Sequence, residues 1–276
     1  MLKPRRADRS PSPKKEEGFW ENVRFIIIMV IVVTLVRSLV FAPFSIPSES
    51  MVPRLLVGDH LIVTKWNYGW SRYSFPFGIV PISGRIWGKA PERGDVVVFK
   101  APPDNQTDYI KRVIGLPGDQ VQMRSGKLLI NGTAVPKVPI ADLVIPFTPT
   151  MPCREESPDK FRAADEAAGV CRYSRFRETL PNGKSYEVLD TGYGPQDDTP
   201  VFVVPEGHYF MMGDNRDNSA DSRFPAEVGG GIGFVPAENL LGPAVIMYFS
   251  TDGTAEWLKP WTWFTAARWD RIGGRF

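Results

Sequence analysis

An apolar run near the N-terminus limits the possible folds more than any other feature of this chain. Residues 25–36 read FIIIMVIVVTLV, with Thr34 the one polar side chain, and after Arg37-Ser38 the apolar character resumes through LVFAPF at 39–44. About twenty helical residues cross a bilayer core, so 25–44 is long enough for one transmembrane helix. Ile, Val and Leu cover every side of the cylinder, which leaves no polar stripe of the kind a soluble amphipathic helix carries. Arg37 is the costly residue, but it sits in the second half of the run and can snorkel to the far interface.

The flanks set an orientation. Lys3, Arg5, Arg6, Arg9, Lys14, Lys15 and Arg24 precede the run. By the positive-inside rule residues 1–24 stay in the cytoplasm and 45–276 are exported. A cleaved signal peptide fits poorly, because Pro43 follows Ala42, the one small residue placed for cleavage. An uncleaved signal anchor is the preferred reading.

The rest of the chain reads as β-rich. Its 26 prolines and 25 glycines are spread rather than clustered, which suits many turns between short strands. Strands are expected at 60–65, 96–100, 127–130, 201–204, 208–212 and 242–248, and Asn131-Gly132 marks a tight hairpin. Residues 66–90, rich in Gly, Trp, Tyr and Pro, read as a long aromatic loop. Residues 136–200 are proline- and charge-rich with weak periodicity, and are expected as a smaller lobe inserted into the main sheet system. The expected fold class is therefore mainly β: a β-rich exported domain with an inserted lobe, behind one N-terminal helix.

Composition excludes some functions. A net charge of +2 on 276 residues is too weak a bias for a nucleic-acid partner. Cys153 and Cys171 lie in the inserted stretch without a CxxC pattern, and outside the cytosol they could close a small loop as a disulfide. The terminal twenty residues combine tryptophans with Lys259, Arg268, Arg271 and Arg275. That composition suits a lipid interface, and equally a tail packed on the body.

Three segments carry chemistry. Residues 46–55 read IPSESMVPRL, in which Ser48 and Ser50 stand in a proline-flanked bend that can present a hydroxyl and backbone N–H groups to a carbonyl. Residues 109–119 read YIKRVIGLPGD, and strand alternation puts Lys111 on one side with Tyr109 and Val113, and Arg112 on the other. A lysine activates a serine only when its amine is neutral, and burial is the usual way to achieve that. Residues 213–223 read GDNRDNSADSR. Arg216 and Ser219 spoil a calcium loop there, so the segment suits hydrogen-bonded support for catalytic groups. Taken singly, each segment also has an ordinary structural reading: a Ser/Pro linker, a strand-edge charge, a polar loop.

Together, and in this order behind an anchor, PSxSMxP, YIKRVIGLPGD and GDNRDNSxDSR resemble type I signal peptidases, the membrane-bound Ser/Lys endopeptidases that remove signal peptides from exported proteins. The resemblance covers 44–69, 94–100, 108–119 and 213–223. It implies Ser50 as nucleophile, Lys111 as general base, and the Ser48 hydroxyl with the Ser50 N–H as oxyanion hole. Ser219 would hydrogen-bond the lysine amine, while Asp221 and Arg223 brace the site. Ile46, Pro47, Met51, Leu55, Tyr109 and Ile110 would wall pockets that accept small side chains, giving cleavage at Ala-x-Ala type sites. No metal or organic cofactor is implied. The implied partners are signal-peptide-bearing precursors, membrane lipid and the export machinery, and the implied location is the bacterial inner membrane with the catalytic domain on the periplasmic side.

The chain departs from the pattern in two places. Glu49 stands between the serines where a glycine is often seen, and residues 224–232 insert a glycine-rich stretch after the third motif. Two rival readings stand beside this one. A Ser/His hydrolase would use His60 or His208 but lacks a GxSxG elbow, and an anchored binding or sensor module would leave the serines and lysine incidental.

Overall fold

A computed structural model describes residues 18–148, 150–153, 164–165, 169–256 and 258–276. The basic residues at positions 3–15, which carried the orientation argument, and Trp257 of the C-terminal segment lie outside the described residues.

The N-terminal helix α1 runs Phe19–Leu39. This corrects the expected helical span 25–44 at both ends. The helix takes in Trp20, Glu21 and Arg24, and it stops before Phe41–Ser45, which is strand β1. Proline at position 43 explains the early stop: it disfavours the helical region at Ala42 and can donate no helical hydrogen bond. Extended backbone there pairs instead with strand β2 (Asp59–Thr64), Ala42 opposite Val63 and Phe44 opposite Leu61. Among the described residues α1 is the one helix long and apolar enough to cross a membrane, and its Ile and Val side chains from 26 to 33 are about half exposed.

The body is mainly β, as expected. β3 (Val96–Lys100) and β4 (Asp108–Gly115) follow the aromatic loop, then β5 (Gln120–Arg124), β6 (Lys127–Ile130) and β7 (Thr133–Ala134). β8 (Lys137–Pro146), β9 (Ala164–Asp165), β10 (Val170–Thr179) and β11 (Ser185–Leu189) come next. β12 (Phe202–Val203), β13 (His208–Met212), β14 (Val235–Pro236), β15 (Leu240–Ser250) and a short helix α2 (Trp261–Ala266) complete the chain.

These strands form a seven-stranded sheet in the order β1-β2-β15-β3-β4-β13-β14, a sheet β12-β5-β6-β7, and a sheet β11-β10-β8 with β9 beside β10. β3 reads Val-Val-Val-Phe because the sheet is covered on both faces there, so no alternation survives. The Asn131-Gly132 turn has positive φ at both residues (52° and 78°), the geometry that a two-residue hairpin needs. The Asn131 side chain reinforces it, accepting from Gln120 N and donating to Asp119.

Strands β8 and β10 are ten residues each and fill the stretch whose sequence shows weak periodicity. Most of β8 is exposed or half-exposed on both faces, so it has no apolar alternation to read. Cys153 and Cys171 are bonded to each other, with Cα atoms 5.3 Å apart. Cys171 packs with Val52, Leu56, Ile145 and Leu189, which joins this sheet to the turn after Ser50.

The C-terminal segment packs on the body, one of its two expected roles, through its arginines. Arg271 makes an ion pair with the fully buried Asp59 at 2.6 Å and donates to Arg54 O, and Arg268 donates to Val57 O. Trp261, Phe264 and Trp269 stay exposed.

Candidate active site

The segment 46–55 leaves β1 and turns directly after Ser50. Leu55 N donates to Met51 O at 2.9 Å, and Met51 and Leu55 are fully buried in an apolar cluster with Ile46, Leu61, Val98 and Ile110. Burial of each contributes about 1.5–3 kcal/mol and anchors the serine to the sheet. Lys111 arrives from β4, opposite Val97 of β3. Its Nζ donates to Ser50 Oγ at 2.5 Å, and both residues are buried.

Burial lowers the Lys111 amine from its ordinary 10.5 to about 8. Asp221 and Asp214 oppose that shift and Arg223 assists it. Near neutral pH part of this amine is therefore unprotonated while it touches the Ser50 hydroxyl, an arrangement able to activate a serine. Tyr109 lies on the same side, its ring centroid 5.5 Å from Nζ, as strand alternation requires. Arg112 points away and is not solvated: it is buried, donates twice to Asp214 (2.7 and 2.6 Å) and once to Gly94 O.

A cleft of about 640 Å³ opens over this pair. Ile46, Pro47, Ser48, Tyr109 and Ile110 line it with Ser50 and Lys111. Met51 and Leu55, expected as pocket walls, are not on its surface; they lie beneath and back the wall. Ser48 Oγ stands 3.5 Å from Ser50 Oγ, on the cleft side. The inserted stretch after the third motif folds against this wall, where Tyr109 donates to Gly230 O at 3.5 Å. His60 packs on Tyr248 and Phe249, His208 contacts Glu206 O, and neither lines the cleft.

The third motif wraps Ser50 and Lys111 from behind. Asp221 accepts from Gly213 N and from Arg223 through N, Nε and Nη2, at 2.9–3.2 Å. Burial alone would raise the Asp221 carboxyl, yet Arg223 and these bonds hold it below the usual carboxylate range. Ser219 is buried, but its hydroxyl has no hydrogen-bond partner among the described residues, so the implied bond to Lys111 is not made here. Ser219 Oγ and Ser50 O leave no room for a Cβ at Gly213.

Sequence reasoning missed the tie from this motif to the β8–β11 sheet. Arg216, fully buried, donates to both oxygens of Glu178 at 2.7 and 2.5 Å, and Tyr186 donates to the same carboxylate. Burial pushes Glu178 up, but the Arg216 guanidinium outweighs it and keeps the carboxyl below its ordinary value. Nothing in the charge-rich sequence around Glu178 distinguishes it from its surface neighbours. Glu178→Ala should cost about 3–5 kcal/mol, because it strands a buried guanidinium. Thermal unfolding of the purified variant against wild type checks this.

A larger cavity of about 980 Å³ also contains a serine and a lysine, Ser185 and Lys184, together with Trp66, Trp87 and Arg275. Lys184 is paired with Glu92 and Asp95, which outweigh its slight burial and hold its amine above the ordinary value. An ammonium so held cannot serve as a base. The small cleft is the one place among the described residues where a serine meets a lysine poised to be neutral.

Comparison with known proteins identifies the family. The family described as "Signal peptidase, peptidase S26" matches residues 19–249. Signal peptidase I of Rickettsia massiliae (strain Mtu5) is 36% identical over 258 residues, 89% of this chain and 84% of that one. The Rickettsia prowazekii (strain Madrid E) protein of the same name is 35% identical over 256 residues, 90% of this chain and 85% of that one. A solved signal peptidase I from Enterococcus faecalis V583 is 27% identical and covers 56% of this chain and 97% of its own, with a TM-score of 0.28, too low to carry an argument about the fold. The extent of the family match, and of the relatives that share it, places this chain in the signal peptidase family, peptidase S26.

Proposed function

We propose that this protein is a membrane-anchored serine endopeptidase that removes signal peptides from exported precursors with a Ser50/Lys111 dyad. The observation that carries the reading is the 2.5 Å contact between a buried lysine amine and the Ser50 hydroxyl. α1 supplies the anchor, with the catalytic domain on the exported side of a bacterial inner membrane.

The precursor lies extended between the segment 44–48 and the start of β4, in the manner of an added strand. Narrow walls from Ile46, Pro47 and Ile110 favour small side chains before the cut, which suits an Ala-x-Ala site. Ser50 Oγ attacks the scissile carbonyl carbon while neutral Lys111 takes its proton. The resulting oxyanion accepts from the Ser50 N–H and the Ser48 hydroxyl. The C–N bond then breaks, and the Lys111 ammonium returns its proton to the leaving amine. Water, deprotonated by Lys111, cleaves the acyl ester and restores the Ser50 hydroxyl.

Detergent-solubilised protein incubated with one signal-peptide precursor should release the mature chain, and the new N-terminus should follow a small residue. Absence of cleavage under conditions where the protein is folded would refute the reading.

The pH profile provides a second test. The amine must lose its proton to act, so kcat/KM should rise tenfold per pH unit at low pH, bend near pH 8 and level off above it. A profile flat from acid to alkaline pH would exclude a titrating lysine base.

A further inference from the structure

We infer that Asn215 is a positioning residue that sets the direction of the Ser50 N–H by clamping the peptide plane between Glu49 and Ser50. This rests on the dyad reading above. Asn215 Nδ2 donates to Glu49 O at 3.2 Å, and Val52 N donates to the same oxygen at 3.1 Å. Asn215 N donates to Ser50 O at 3.1 Å, so one residue holds the carbonyls on both sides of the nucleophile's own backbone. The peptide is trans and planar, so the Glu49 C=O and the Ser50 N–H point in opposite directions. With the carbonyl edge pinned by two donors, the N–H edge cannot rotate.

The Ser50 N–H itself donates to no acceptor among the described residues. Ser50 lines the cleft, so a backbone N–H there with no partner in the protein is free to donate to a bound group. Here the group that suits it is the oxyanion formed on the substrate carbonyl.

Glu49, the departure inside the nucleophile motif, belongs to the same device. Asn218 Nδ2 donates to Glu49 Oε2 at 3.0 Å, and Asn218 N donates to Asn215 O at 3.1 Å. The side chain of Glu49 thus ties its own residue to the loop whose Asn215 holds its carbonyl. Asn215 is in turn fixed from the far side, since it bridges to Leu189 of β11 and Leu189 N donates to Asp214 O at 2.9 Å. The β8–β11 sheet, which contributes nothing to the cleft surface through its strands, acts on the oxyanion donor through this contact.

The test uses the full-length protein in detergent. Asn215→Asp keeps the side-chain shape but replaces the donor with an acceptor, and Asn215→Ala removes it. Both are expected to lower kcat about 10- to 100-fold, a fraction of the loss on deleting an oxyanion donor outright. KM should stay within about twofold, and in Asn215→Ala, which adds no charge, the bend of the pH profile should not move, because Lys111 is untouched. Affinity for a peptide aldehyde, whose tetrahedral adduct with Ser50 bears the oxyanion, should fall in parallel with kcat. Wild-type kcat in Asn215→Ala overturns the clamp, as does a kcat loss in that variant that arrives with a shifted pH bend or without loss of aldehyde affinity. Ser50→Ala in the same assay separates the two layers. If it is inactive while the Asn215 variants are unimpaired, only the clamp fails; if it still cleaves, the dyad reading fails.

Discussion

On the proposed dyad, Lys111→Met is expected to abolish precursor cleavage, with a loss of about 10³-fold or more in kcat/KM, and Ser50→Ala to do the same. If the two residues act as one unit through their 2.5 Å contact, the double variant should be no worse than either single one. Cleavage is read by release of the mature chain from a precursor.

Stability separates this result from misfolding. The folded Lys111 amine titrates near 8 and the unfolded one near 10.5, so below pH 8 the folded state bears a buried charge that the unfolded state does not pay for. That penalty is about 3 kcal/mol and disappears as pH rises from 8 to 10.5. Lys111→Met should therefore be more stable than wild type at pH 7, with the gap closing over that window. An inactive variant that is also less stable at pH 7 would contradict the placement of Lys111.

Gly213→Ala should reduce kcat about 100-fold or more with the chain still folded. A Cβ at this position would lie under 3.0 Å from Ser219 Oγ, Ser219 Cβ and the backbone oxygen of Ser50. The serine hydroxyl could rotate away, but the Ser50 carbonyl is part of the nucleophile's backbone and can yield only by moving Ser50. A misplacement on the order of 1 Å costs about 10²-fold where the reacting atoms must be in line. Gly213 N also donates to Asp221, so a shift would loosen the Asp221–Arg223 pair behind Lys111. Wild-type kcat in Gly213→Ala would show that the loop relaxes freely.

Legibility in the sequence followed burial. Strands β3 and β13 and the Asn131-Gly132 turn could be read because a covered sheet face or a required positive φ leaves a local mark. β8 left none, being solvated on both faces. The helix end at Leu39 was signalled by Pro43, yet the apolar composition through Phe44 outweighed it, because a helix and an inward-facing strand use the same residue types. Within the site, Ser50, Lys111 and the polar loop stood out by type and order. Glu178, Tyr186 and Asn215 did not, since their roles depend on partners 38, 30 and 166 residues away in the chain.

The sequence alone determined the kinds of group available: an apolar helix, a serine in a proline-bounded bend, a lysine in a strand, and a loop of acids, amides and arginines. Tertiary structure decided which of these touch and in what protonation state. A lysine becomes a base only when other strands take it out of water, and an N–H becomes an oxyanion donor only when the opposite end of its peptide is held. Both conditions are set by groups distant in the chain, so no local pattern of residues could record them.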